Sequence, residues 1–140
     1  MARRSSIASL MAAVFLGSLV AAQSETIAVE IKGGESRLVE TRGSQIHLRF
    51  VSVVSDERCP ALVTCSWANP PVIIVNATMA GNEPKDFQIA AGGPKGVLQG
   101  SYSGNVIQFL DLSPMPQQPS DFSKVGPLEN YTVRLNIVTP

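Results

Sequence analysis

Two cysteines six positions apart, Cys59 and Cys65, are the tightest constraint on what this chain can fold into. They are its only cysteines, set in Ser55-Asp56-Glu57-Arg58-Cys59-Pro60-Ala61-Leu62-Val63-Thr64-Cys65-Ser66-Trp67-Ala68-Asn69 between two strand-like runs. Redox-active pairs usually enclose two residues, whereas this pair encloses five. A structural zinc site needs four ligands, and the sole histidine, His47, cannot complete one. The spacing therefore reads as a structural disulfide closing a loop between strands. Closing so short a ring is expected to contribute about 2–2.5 kcal/mol through chain entropy.

A disulfide needs an oxidising compartment, and the amino terminus supplies the address. Arg3 and Arg4 precede an apolar run from Ile7 to Ala22, which ends in the small residues Val20-Ala21-Ala22. That is the pattern of a cleaved signal peptide over residues 1–22. The run is shorter than the roughly 20 residues that span hydrocarbon. The expected domains are a signal over 1–22 and one β-domain over 23–140, secreted or periplasmic, meeting the membrane only during export. Both signal arginines leave with the cut, so 11 basic residues become 9 against 11 acidic ones. That balance offers no basic patch to a phosphate backbone, and nucleic acid is not an expected partner.

The remainder reads as strands separated by turn chemistry. Ile27, Val29 and Ile31 alternate with Thr26, Ala28 and Glu30, which gives one buried face. A short run over Arg37 to Thr41 follows. Ile46, Leu48 and Phe50 face inward, while His47 and Arg49 face out. Val51 and Val53 take the opposite phase, which predicts either a β-bulge near Phe50–Val51 or burial on both faces. Pro70-Pro71 introduces Val72 to Met79, whose β-branched density marks a central strand. Further strands are expected over Asp86–Ala90, Val97–Tyr102 and Val106–Leu112. A turn is expected at Gly92–Gly96. Tyr131, Val133, Leu135 and Ile137 alternate cleanly with polar neighbours.

About eight short strands without an amphipathic helix predict an all-β fold. The expected architecture is a two-sheet antiparallel β-sandwich, immunoglobulin-like and Greek-key, with a closed barrel as the alternative. The long segment Ser113 to Pro127 carries four prolines. It is expected to cross between the two sheets over one end of the sandwich, the alternative being a semi-rigid functional arm of extended polyproline character.

No catalytic residues, cofactor or metal site are assigned. His47 lacks a recognisable nucleophile and orienting acid, and with Met79 and Met115 it forms only a scattered soft-ligand set. Asp56, Arg58 and Trp67 form a candidate binding patch at the mouth of the cysteine loop, Arg58 being a candidate anion ligand. The Trp67 ring is expected to pack over the disulfide, the alternative being an exposed ring that would point to sugar or protein recognition. Pro114, Met115 and Pro116 form a candidate binding loop. Two acceptor sequons occur, at Asn76 and Asn130; Asn76, inside a central strand, is a poor acceptor.

The run Asp56-x-Arg58-Cys59-Pro60, followed by Cys65-x-Trp67-Ala68, resembles a motif of small exported bacterial proteins of uncharacterised function. There, D-S-R-C-P precedes C-x-W-A-G by four or five residues. The close of the chain is similar too: Leu112-x-Pro114-x-Pro116, a variable loop, then Tyr131-x-Val133-x-Leu135. Glu57, Asn69 and Met115 depart from the usual serine, glycine and aromatic. The resemblance implies an exported β-domain stapled at this loop and carries no catalytic role.

The expected function is that of a monomeric, non-enzymatic binding or structural module of the bacterial envelope or secretome. Its partner would be a protein or a glycan. One alternative is a protease-inhibitor-like sandwich acting through the Cys59–Cys65 loop or residues 113–127. A metal or small-ligand carrier is the other.

Overall fold

The computed structural model describes residues 14, 16–19, 23–91 and 99–140. The signal peptide expected over 1–22 lies almost wholly outside the described residues, as does the turn expected at Gly92–Gly96. Among the described residues, no helix is long and apolar enough to cross a membrane.

Eight strands are described: β1 (Glu25–Lys32), β2 (Ser36–Thr41), β3 (Ser44–Ser55), β4 (Val72–Thr78), β5 (Lys85–Ala90), β6 (Gln99–Tyr102), β7 (Asn105–Ser113) and β8 (Thr132–Thr139). The only helical turns among the described residues are two short 3-10 segments, Pro119–Asp121 and Leu128–Asn130. The strands form two antiparallel four-stranded sheets, ordered β1-β8-β7-β6 and β2-β3-β4-β5. The all-β sandwich expected from the periodicity is therefore the fold. The second sheet is a simple meander. In the first, β6, β7 and β8 follow one another as antiparallel neighbours and β8 lies against β1, so the described strands run up and down in chain order without the Greek-key crossing that was expected. Passing from sheet to sheet, β1 meets β2 and β5 meets β6.

The core comes from the alternating residues. Ile31, Ile46, Leu48, Phe50, Ile73, Val75, Ile107, Phe109, Val133, Leu135 and Ile137 have no exposed surface. β4 is central, between β3 and β5, as its β-branched sequence suits. The bulge expected near Phe50–Val51 is present, because the register with β4 passes from Phe50↔Val75 directly to Ser52↔Ile74. Val51 is thereby turned to the surface. The register shifts again between Val53 and Ser55 on β3, where Val54 is exposed, and between Phe109 and Asp111 on β7, where Leu110 is exposed.

The arm over 113–127 corrects one expectation. It does not cross between sheets: its flanking strands β7 and β8 are neighbours in one sheet, with Ser113 opposite Thr132. The arm instead leaves and rejoins the same sheet over one end of the sandwich. That end is set by the ends of β1, β3 and β7 and the starts of β4 and β8. The cysteine loop, between β3 and β4, rises from the same end.

Candidate functional site

Cys59 and Cys65 are joined in a disulfide with Cα atoms 5.7 Å apart. Inside the ring, the Val63 N–H donates to the Pro60 carbonyl at 3.1 Å, closing a four-residue turn with Pro60 at its first position. The base of the loop is tied by two bonds. The Asn69 N–H donates to the Glu57 carbonyl at 3.1 Å, and the Asn69 amide Nδ2 donates to Glu57 Oε2 at 2.7 Å. Replacing both cysteines with serine is expected to lower stability by about 2–2.5 kcal/mol. A urea titration of both forms reads that difference directly, and an unchanged midpoint would show that the ring is held without its covalent bond.

Asp56 and Arg58 are buried, with 5% and 9% exposure. Arg58 Nε and Nη2 donate to the two Asp56 carboxylate oxygens, each at 2.7 Å. The other three N–H groups reach the arm. Nη2 donates to the Pro114 carbonyl at 2.8 Å, Nη1 to the Leu112 carbonyl, and Nη1 to Met115 Sδ at 3.3 Å. A guanidinium has five donors, and all five are used inside the molecule. Arg58 thus serves as the anchor of Leu112–Met115 and has no donor left for an anion.

A further backbone bond joins the two loops, from the Ala61 N–H to the Pro116 carbonyl at 2.9 Å. At its far end the arm rests on the β1–β2 turn. There the Gly33 N–H donates to the Tyr131 carbonyl at 2.8 Å, and the carbonyl of Leu128 lies where a side chain at residue 33 would begin. The Tyr131 hydroxyl accepts the Gly126 N–H at 3.0 Å, which fixes the closing bend of the arm.

Two hollows result. A cleft of about 200 Å³ lies between the loops, lined by Pro60, Val63, Thr64, Cys65, Trp67, Pro119 and Phe122. A broader groove of about 540 Å³ lies under the arm, with Asp56, Met115, Asp121, Lys124 and Tyr131 among its walls. The predicted patch is thus divided. Asp56 and Arg58 are internal, whereas Trp67 is 69% exposed. The expectation that the Trp67 ring packs over the disulfide is not met; its indole faces solvent beside Cys65 as one wall of the cleft. Leu62, Val63, Met115 and Val125 are also exposed at this end. Pro114, Met115 and Pro116, the predicted binding loop, are held against the cysteine loop by Arg58 and Ala61.

His47 points to solvent, as its position in the alternation predicts. It shares a groove with Met79 at the opposite end of β3. Met115 contacts Arg58, eleven residues beyond His47 and past the other end of β3, which alone puts about 26 Å of strand between them. The soft-ligand set is therefore not assembled. No group of three or more His, Cys, Asp or Glu residues is placed to hold a metal among the described residues. The Asn76 amide donates to Asp86 at 2.8 Å, and its oxygen accepts from the Thr78 hydroxyl. Asn130 is exposed at the end of the arm. Sequence reasoning did not find Pro119 and Phe122 as cleft residues. Phe122, an aromatic among polar arm residues, was the available signal.

No protein-family model, curated protein or solved structure matches the chain.

Proposed function

We propose that this is an exported, non-enzymatic binding module that takes a protein partner at the two-loop end of the sandwich. The observation that carries this reading is the exposure of Trp67 in an apolar cleft between two loops that are already fixed. An exposed tryptophan beside exposed Leu62 and Val63 is the kind of anchor on which binding energy concentrates. The disulfide, the Arg58 anchor and the Ala61–Pro116 bond order the loops beforehand, which lowers the entropy lost on association. A protein side chain suits the cleft better than a sugar, because Thr64 carries the only hydroxyl in its lining. The disulfide fits an oxidising compartment.

Protease-inhibitor action is less well supported. A protease cleft takes an extended segment as an added strand, whereas Pro60–Val63 is a turn. The carrier reading loses its ligand set to the separation of His47 and Met115.

The test is capture of envelope and secreted proteins on immobilised wild-type and Trp67→Ala protein, with a glycan array run in parallel. Trp67→Ala should change stability by less than about 0.5 kcal/mol, as exposed substitutions do. It should weaken capture by about thirtyfold, a loss of about 2 kcal/mol typical of an interface anchor. Equal capture by both proteins, or array binding in place of protein capture, would overturn the reading.

A further inference from the structure

We infer that the Cys59–Cys65 disulfide is a redox-sensitive gate on the outer half of the proline-rich arm. The arm has two attachments of different kinds. Its inner half, Leu112–Met115, is held by Arg58, and Arg58 is held in turn by Asp56 at the end of β3. None of these groups lies inside the disulfide ring. The outer half is held by the ring itself: Ala61 donates to the Pro116 carbonyl, and Pro119 and Phe122 face Pro60, Val63 and Cys65 across the cleft.

The ring has little else to keep its shape. Ala61, Leu62, Val63 and Thr64 are all exposed and belong to no part of the core. One backbone bond, Val63 to Pro60, spans the ring. A segment with one internal bond and only Pro60 buried gains conformations once the covalent bond is broken, although Glu57 and Asn69 still tie the base of the loop. The surface that Pro119 and Phe122 face would then disperse, while the Arg58 anchor persists. Attack is sterically open, because Cys65 is half-buried and lines a cleft that opens to solvent.

The step is thiol–disulfide exchange with a dithiol reductant. A dithiol thiolate attacks one sulfur of the pair, the Cys59–Cys65 bond breaks, and a mixed disulfide forms. The second dithiol sulfur then displaces the remaining cysteine. Two electrons and two protons pass to Cys59 and Cys65, and the reductant leaves as its own disulfide. The consequence is a cleft that exists only in the oxidised protein.

The experiment compares the oxidised protein, the same protein held in dithiothreitol, and the Cys59→Ser/Cys65→Ser variant. It reads tryptic nicking after Lys124, amide exchange at Ala61 and the amide order parameters of Leu112 and Val133. Reduction should accelerate nicking at Lys124 and exchange at Ala61 at least tenfold. The amide order parameters of Leu112, beside the inner anchor, and of Val133 in β8 should not change, and reoxidation should restore the slow rates at Ala61 and Lys124. Faster exchange at Ala61 with unchanged nicking at Lys124 would show that the ring does not govern the arm. Loss of order at Val133 along with the rest would make the disulfide a staple of the whole fold. Either result overturns the gate, and neither depends on finding a partner for the cleft.

Discussion

Arg58→Ala is expected to destabilise the protein by about 3–5 kcal/mol, the range for removing one partner of a buried ion pair. The side chains of Arg58 and Asp56 are 10% and 4% exposed, so the aspartate left behind cannot recover its hydration without opening the loop. The truncation also strips donors from the carbonyls of Leu112 and Pro114. Unpartnered buried acceptors add to the cost. A domain of this size has about 5–15 kcal/mol in total, so the variant should show a greatly lowered urea midpoint or fail to fold. Arg58→Lys should fall between, since an ammonium cannot match both carboxylate oxygens at once. Replacing both residues, Asp56→Leu with Arg58→Met, should recover part of the loss because no charge is then stranded. A shift below about 1 kcal/mol for Arg58→Ala would mean that water reaches the pair.

Gly33→Ala is expected to cost about 3 kcal/mol, the upper part of the range for overpacking. The new methyl carbon would lie 1.8 Å from the Leu128 carbonyl oxygen and 2.6 Å from its carbon. Both are backbone atoms that no rotamer change can move aside. The Leu128–Asn130 turn must shift, and the Gly33–Tyr131 hydrogen bond with it. Gly43→Ala supplies the comparison: nothing lies within 4 Å of the added carbon, and the only strain is its φ of +80°. That strain costs about 1 kcal/mol. Thermal melts of the two variants should therefore separate clearly, and equal melting temperatures would mean that the turn is not seated on residue 33.

Local features of the fold were legible where side-chain period alone decides them. Ile46, Leu48 and Phe50 announce one face, and the shift to Val51 and Val53 announces the bulge. The same signal stands in β7, where Ile107 and Phe109 are followed by Leu112 at an odd spacing; that bulge was there to be read. The path of the arm was not. Whether 113–127 crosses the sandwich depends on β8 pairing with β7, and alternation does not name a strand's partner. The site divides in the same way. An aspartate and an arginine two residues apart suggest a pair, but charged side chains are rarely buried, and nothing local points Arg58 toward a carbonyl 54 residues away. Its role depends on a contact visible only in three dimensions. Trp67 was misplaced for the opposite reason: a large aromatic beside a disulfide is ordinarily covered.

The order β1-β8-β7-β6 also decides which way the molecule faces. Glu25 lies opposite Thr139, and the guanidinium of Arg42, in the β2–β3 turn, bonds the Gln23 carbonyl. Gln23 and Pro140 therefore emerge side by side at the pole away from Trp67, about 26 Å distant along β1. A tether, label or fused domain attached at either residue would hold the molecule by its foot and leave the two-loop head pointing outward.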